Sequence, residues 1–249
     1  MTNQTRNPVA VIVGAGDAIG AAVARRFARG GYTVCLIRRS LEKTVPHIAA
    51  IAAEGGKAHG FSSDARDEAA MTALFETVEH DIGPIGVCLF NAGANTQMGA
   101  LETSGTLYQR VWALACFAGF VTGREAARHM LPRGQGTILF TGATASLRGG
   151  AGFAAFAAAK AGLRATAQSL AREFGPRGIH VAHLVIDGAV DSPAIHQRRL
   201  ARLGPDAPSV EPGSLIALET VAEAYWTLHT QPRDGWTHEL DIRPSVEPW

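Results

Sequence analysis

Short apolar runs alternate along the chain with longer segments in which apolar residues recur at helical spacing. Strands are predicted for the short runs at 9–15, 32–39, 57–65, 85–93, 136–146 and 179–188. Helices are predicted for the longer segments at 18–31, 40–56, 66–83, 104–131, 153–174 and 219–231, and a short last strand is expected at 238–244. This alternation is typical of an α/β fold with right-handed crossovers and a doubly wound parallel sheet. Because no long linker or internal repeat interrupts it, we expect a single domain over residues 1–249.

Composition narrows the class of protein without pointing to a reaction. Apolar residues make up 47% and charged residues 18% of the chain, which suits a buried parallel sheet. The net charge of +1 gives no reason to expect a nucleic-acid partner, and no apolar run is long enough to span a membrane. The polar start of the chain predicts no signal peptide, and Cys35, Cys88 and Cys116 are expected as buried reduced thiols. We therefore expect a cytoplasmic protein without a metal site.

The first predicted strand leads into a glycine-rich turn, "VGAGDAIG" at 13–20, which opens the first helix. Gly14 and Gly16 let the backbone turn tightly and approach a pyrophosphate, and Gly20 allows close packing of helix on strand. The helix N-terminus adds amide donors and the positive end of its dipole. The turn therefore predicts a Rossmann-like dinucleotide site.

The end of the second strand indicates which dinucleotide is bound. An acidic residue there would bind the ribose 2′-hydroxyl of NAD, whereas this chain has Arg38 and Arg39. A guanidinium matches the geometry of a 2′-phosphate, so NADP(H) is expected in preference to NAD(H). Asp17 is an argument against this assignment, because its carboxylate would repel the phosphate.

The turn and several later motifs together resemble the short-chain dehydrogenase/reductase family over nearly the whole chain. The turn is similar to the family's Thr-Gly-x-x-x-Gly-Ile-Gly, and "SDA" at 63–65, "FNAG" at 90–93 and "IDGAVDSP" at 186–193 are similar to its later cofactor motifs. The resemblance implies that Asp64 and Ala65 contact adenine and that Val190 and Ser192 hold the nicotinamide carboxamide. The remaining contacts that it implies come from Asp17, Ala18, Ile19, Asn91, Ala92, Gly93 and Lys160.

The same resemblance makes this chain an atypical member at the catalytic positions. The family uses Asn, Ser, Tyr and Lys, whereas the matching positions here are Ala115, Ala143, Phe156 and Lys160. Three groups that would stabilise and protonate an alkoxide are thus expected to be missing. Lys160 would keep a role, because its ammonium would bind the nicotinamide ribose.

Three functions remain open at this point. The first is reduction of an activated acceptor, best a cyclic imine, in an apolar pocket formed by Ala115, Ala143 and Phe156. The second is reduction of a ketone with a relocated donor, for which Asp187 is the first candidate because an apolar cleft would favour its protonated form. The third is an NADP(H)-binding sensor or assembly partner without catalysis. Asn95 and His196 are further expected at the substrate pocket, and His183 is expected as a packed core histidine.

Two expectations concern the rest of the molecule. Residues 192–215 are rich in Pro, Gly and charge and follow the predicted nicotinamide strand, so they are interpreted as a lid over the substrate. In the family the helices that correspond to 104–131 and 153–174 pair with a second subunit. The resemblance therefore implies a homodimer or homotetramer that acts on a small molecule.

Overall fold

The computed structural model describes residues 6–93, 95–205 and 208–247. Strands β1 to β7 cover Val9–Val13, Thr33–Arg38, Lys57–Ser62, Ile85–Phe90, Gly136–Thr141, Ile179–Ile186 and Glu239–Ile242. Within the described residues, helices α1 to α8 cover Ile19–Arg29, Val45–Ala53, Glu68–Thr77, Gly105–Trp112, Ala118–Met130, Ala154–Phe174, Pro193–Leu203 and Leu218–His229. The predicted alternation of strands and helices is confirmed, including the short last strand.

All seven strands form one parallel sheet in the order β3-β2-β1-β4-β5-β6-β7. The order reverses between β1 and β4, and ligands of such sheets bind beyond the carboxyl ends of the strands at this point. The predicted α/β fold with a Rossmann-like, doubly wound parallel sheet in a single domain is confirmed.

Helices cover both faces of the sheet because alternate strand residues are apolar on both sides. On one face Val9, Val11 and Val13 pack in a cluster with residues of α3, α5 and α6. On the other face Ala10 and Ile12 pack with residues of α1, α2 and α8. Two buried layers thus hold the sheet rigid, which fixes the positions of the loops at its carboxyl edge.

Two predicted helices differ from the structure for local reasons. The helix predicted at 40–56 is a short 3₁₀ turn over Glu42–Thr44 followed by α2, and Pro46 lies in the first turn of α2. Proline favours that position because it has no amide hydrogen to donate. The helix predicted at 104–131 is divided into α4 and α5 by a π-helical turn over Ala113–Phe117. An extra residue shifts the following helix face, but the shift cannot be seen here because all five residues of the turn are apolar.

Three other expectations bear on the molecule as a whole. Cys35, Cys88 and Cys116 are buried and free, as predicted. In the part of the chain that the structure describes, no helix combines the length and the apolar character that crossing a membrane requires. The segment 192–215 contains α7, which has no buried residue, while residues 206 and 207 lie outside the described residues. That this segment covers a substrate stays a prediction.

Candidate active site

A cleft of about 700 Å³ lies at the carboxyl ends of β1, β2 and β4, where the strand order reverses. Most of its lining comes from the residues that the sequence singled out for the cofactor. These are Gly14, Gly16, Arg38, Arg39, Asp64, Ala65, Asn91, Ala92 and Gly93. The cleft also includes Ser63 of the "SDA" motif, and Ser40 and Lys43, which sequence reasoning missed although they lie within four residues of Arg39. A dinucleotide-sized space therefore lies where this fold binds dinucleotides.

The glycine turn keeps this cleft open through its backbone. Gly14 has a φ of +83°, and a Cβ on it would lie 2.5 Å from the amide nitrogen of Ala92. A Cβ on Gly20 would lie 2.7 Å from the Cα of Ala15, so glycine allows α1 to start close to the turn. By contrast, a Cβ on Gly16 would meet no atom closer than 4.0 Å. Gly16 thus leaves free space at the place where a pyrophosphate would approach.

The start of α1 offers donors to an anion. The amides of Ala21 and Ala22 are taken by the carbonyl oxygens of Gly16 and Ala18. The amides of Ile19 and Gly20, also in the first turn, have no backbone acceptor among the described residues. No acidic residue lies in this first turn. Free amides and the helix dipole together suit a phosphate group, so the residues present fit the diphosphate of a dinucleotide.

The negative charge of Asp17 is paired with two neighbouring side chains. Its carboxylate accepts hydrogen bonds from His47 Nε2 at 3.0 Å and from Arg38 Nη1 at 2.7 Å. The bonds from His47 and Arg38 lower the pKa of Asp17. Arg38, Arg39, Ser40 and Lys43 form one rim of the cleft. Because Arg38 forms an ion pair with Asp17, Arg39 and Lys43 are the cations of this rim without a carboxylate partner among the described residues. The objection that Asp17 raised against a 2′-phosphate is thereby weakened.

Asp64 is also paired in the structure. Its carboxylate forms two-pronged hydrogen bonds with Arg66, the shortest of which is 2.5 Å. The bond from Arg66 is the main reason why the pKa of Asp64 falls to about 2. Any contact of Asp64 with adenine would therefore share this carboxylate with Arg66, while Ala65 lines the cleft beside it.

A hydrogen-bonded chain crosses the sheet beneath the glycine turn. The hydroxyls of Tyr225 and Thr141 are 2.7 Å apart, Thr141 donates to Asn91 Oδ1 at 3.0 Å, and Asn91 Nδ2 donates to the Gly14 carbonyl at 3.0 Å. Since Thr141 uses its one hydrogen on Asn91, Tyr225 is the donor in the first bond. Tyr225 is completely buried on α8. That Tyr225 supports the turn could not be predicted from the sequence, because Tyr225 and Thr141 are 84 positions apart.

Lys160 lies at the centre of the candidate catalytic region. Its ammonium is buried and donates to the carbonyl oxygen of Thr141 at 2.7 Å. Burial lowers the pKa of the Lys160 ammonium to about 8. A Cβ on Gly93 would lie 3.5 Å from the nitrogen, so the ammonium borders the cofactor cleft. The position allows this ammonium to bind a hydroxyl of a sugar in the cleft.

The structure brings Ala115, Ala143 and Phe156 together in one apolar cluster with Cys116 and Phe153. Ala115 lies in the π-helical turn between α4 and α5. Phe156 is 8% exposed, and the nitrogen of Lys160 is 5.9 Å from the centre of its ring. The three side chains, none of which has a hydroxyl, thus form a packed hydrocarbon wall beside a cation, with Ala115 completely buried in it.

Asp187 has surroundings that differ from the apolar cleft expected for it. The carboxylate is completely buried and accepts hydrogen bonds from Thr144 at 2.6 Å and from Arg148 at 3.3 Å, and it pairs with Arg243 at 2.9 Å. The expectation of an apolar environment is wrong, because a residue far along the chain brings a second guanidinium to this position. Both oxygens act as acceptors, which is the geometry of a bound carboxylate rather than of a proton donor.

His183 packs in the core, as expected. It is completely buried on β6, and its Nδ1 lies 3.0 Å from Glu239 on β7. Glu239 in turn receives two hydrogen bonds from Arg164 of α6, each 2.6 Å long. Burial lowers the pKa of His183 to about 4. An ion pair thus ties the helix that carries Lys160 to the edge strand.

Two further predicted pocket residues, His196 and Asn95, and two predicted nicotinamide contacts, Val190 and Ser192, are not members of the apolar cluster. His196 is on α7, where its Nε2 lies 2.6 Å from Asp191. Ser192 caps α7 by accepting a hydrogen bond from the Ile195 amide, and Val190 forms a bridge with Ile216. Asn95 is exposed on the loop after β4. Ser192 and His196 line one small cavity of about 340 Å³, whereas neither Val190 nor Asn95 lines it.

Comparison with known proteins decides the family. Residues 8–202 match the family model described as short chain dehydrogenase. The chain belongs to the short-chain dehydrogenase family. It is 48% identical to a short-chain dehydrogenase from Rhodopseudomonas palustris of known crystal structure, which it resembles with a TM-score of 0.82 over 96% of this chain and 99% of that one. The family predicted from the motifs is confirmed, while the absence of the usual Asn, Ser and Tyr stays a prediction.

Characterised members of the short-chain dehydrogenase family are similar at a lower level. The short-chain reductase protein NovJ of Streptomyces niveus is 32% identical over 83% of this chain and 78% of its own length. The 2-(S)-hydroxypropyl-CoM dehydrogenase 3 of Xanthobacter autotrophicus is 30% identical over 80% of this chain and 78% of its own length. Both are named for oxidation or reduction, which places the chain among oxidoreductases of this family.

Proposed function

We propose that this short-chain dehydrogenase is an NADPH-dependent reductase whose acceptor is already activated before hydride arrives, with a cyclic iminium as the best example. The observation that carries the proposal is the apolar wall of Ala115, Ala143 and Phe156 beside the buried Lys160. When bound, NADPH supplies the hydride. An iminium needs no alkoxide stabilisation, because addition of hydride to it gives a neutral amine.

Several residues of the cleft have a stated part in this proposal. Lys160 orients the nicotinamide ribose with its ammonium, which already lies at the border of the cleft. The first-turn amides of α1 bind the diphosphate. Phe156 excludes water from the reacting centre and offers its ring face to a cationic acceptor, a contact that stabilises cations in the absence of a carboxylate.

Preference for NADPH over NADH is supported by the cationic rim of the cleft. Arg39 and Lys43 line the rim beside Ser40, whereas Asp17 is occupied by Arg38 and His47. We expect NADPH to bind more tightly than NADH and Arg39→Gln to reduce that difference. Isothermal titration with both cofactors measures it, and tighter binding of NADH by the wild type would contradict the assignment.

A second candidate is reduction of a ketone or oxidation of an alcohol. It is favoured by the names of the relatives, since the 30% identical Xanthobacter protein is a dehydrogenase of a hydroxypropyl compound. On this reading Lys160 would donate the proton, because burial lowers its pKa to about 8 and brings its proton within reach at neutral pH. Asp187 is not proposed for that step, since both of its oxygens accept hydrogen bonds.

The two candidates are separated by incubating the purified protein with NADPH and matched acceptors. Cyclic imines such as dihydroisoquinoline are compared with ketones of similar ring size, and consumption is followed by the loss of nicotinamide absorbance. We expect turnover of imines. Turnover of ketones alone would establish the second candidate, and tight NADPH binding without turnover on either panel would indicate a sensor or assembly partner.

We also propose that the protein is a cytoplasmic homodimer or homotetramer. Support comes from Tyr108 and Trp112 of α4, which are 39% and 43% exposed on one of the helices expected to pair. Light scattering coupled to gel filtration measures the mass, and a monomer would contradict the proposal.

A further inference from the structure

Arg148 lies in the segment between β5 and α6 and contacts the buried carboxylate of Asp187 with one nitrogen. Its Nη2 is 3.3 Å from both oxygens of Asp187, and 46% of its side chain is exposed. Its Nε and Nη1 have no partner in the described part of the chain. A guanidinium has five N–H donors. Arg148 is therefore held by Asp187 through Nη2, and most of its N–H donors remain for another acceptor.

Asp187 does not need Arg148 for its own neutralisation. Its closest cation is Arg243 at 2.9 Å, and Thr144 donates to it at 2.6 Å, so the contacts with Arg148 are the longest of its set. A buried carboxylate with these partners keeps a fixed position. It can hold Arg148 in place while leaving the positive charge of Arg148 largely uncompensated.

The anchored guanidinium is connected to the apolar wall through Asp187 and Thr144. Asp187 contacts the hydroxyl of Thr144, and the neighbouring Ala143 packs in the cluster that contains Phe156. Two side-chain contacts and one peptide bond thus connect Arg148 to the hydrocarbon surface at which the acceptor is proposed to bind. A cation next to an apolar wall fits a ligand with a carbon skeleton at one end and a carboxylate at the other.

We propose that Arg148, positioned by Asp187, selects substrates that carry a carboxylate. The proposal rests on the proposed function, because it places the reacting carbon of that substrate at the Phe156 wall. It changes the role of Asp187 from a catalytic candidate to a positioning residue. It also narrows the acceptor to an acid, such as an imino or keto acid with an apolar body.

Binding of benzoate and its neutral counterpart benzamide tests the proposal without any turnover. Both are titrated calorimetrically into the protein saturated with NADP⁺. We expect benzoate to bind about ten- to a hundredfold more tightly than benzamide, the usual contribution of a charged hydrogen bond. Arg148→Gln should remove this preference, and Arg148→Lys should retain part of it. Arg172→Gln, the same change at the exposed far end of α6, should leave it intact.

The outcomes separate this proposal from the proposed function. Equal affinities, no binding of either compound, or a preference that survives Arg148→Gln would overturn recognition by Arg148, even if neutral imines are reduced. A preference that depends on Arg148 would support it, even if no imine or ketone is consumed. Because Arg148 is half exposed, its variants should fold, and an unchanged Kd for NADPH checks this.

Discussion

Replacing Tyr225 with Phe tests whether the chain beneath the glycine turn supports cofactor binding. The change removes one oxygen from a completely buried ring and leaves the ring's packing intact. Thr141 loses the bond that it accepts at 2.7 Å but keeps the one that it donates to Asn91. One neutral hydrogen bond contributes about 1 kcal/mol, so the free energy of unfolding should fall by about that amount. If the loosened Asn91 transmits the whole loss to Gly14, the Kd for NADPH should rise about fivefold.

Urea unfolding and NADPH titration measure the two effects, and Tyr32→Phe is the matched control. The Tyr32 hydroxyl lies 2.6 Å from His229 Nε2, at the amino end of the sheet, opposite the cleft. That variant should lose a similar free energy of unfolding and keep the wild-type Kd. If Tyr225→Phe left the Kd unchanged, or if both variants weakened NADPH binding equally, the proposed support of the turn by Tyr225 would be refuted.

Two further predictions concern the turn and the core. Gly14→Ala should lower the free energy of unfolding by about 2 kcal/mol, because its Cβ would lie 2.5 Å from the backbone of Ala92 and its φ would be strained. Gly16→Ala should lower it little, and equal losses of the two variants in urea unfolding would contradict this. His183 has a pKa of about 4 in the folded protein, so the unfolded chain binds more protons as the pH falls below about 6.5. Protonation of His183 alone should lower the free energy of unfolding at about pH 5 by about 2 kcal/mol relative to neutral pH, and His183→Leu should remove that share of the loss, as urea unfolding at both values would show.

Local patterns were sufficient for the architecture of the protein. The run at Val9–Val13 is apolar on both faces, which is what a central parallel strand requires, and the structure buries all five residues. Strand ends were less predictable, since several runs continue as polar loops that look extended in sequence. The π-helical turn over Ala113–Phe117 could not be predicted, because all of its residues are apolar and a shift of one residue is then not visible in the pattern.

The candidate site was predictable within each short motif, and the resemblance to the family also indicated that the distant residues Ala115, Ala143 and Phe156 meet. The glycine turn and Arg39 were predicted as cofactor contacts from short local motifs, and both line the cleft. Contacts between distant residues escaped the sequence, such as that of Tyr225 with Thr141, 84 positions away. The pairing of Asp187 with Arg243 belongs to the same class, since no spacing rule links the end of β6 to the residue after β7.

The position of the edge strand β7 late in the chain affects the order in which parts of the site can fold during synthesis. Glu239 on this strand contacts Arg164 and His183, and Arg243 directly after it contacts Asp187. During synthesis these two residues emerge from the ribosome after Lys160, Asp187 and Tyr225. The cofactor turn and its support by Tyr225 can therefore form before β7 has been made, but the charges around Asp187 are balanced only after β7 has emerged.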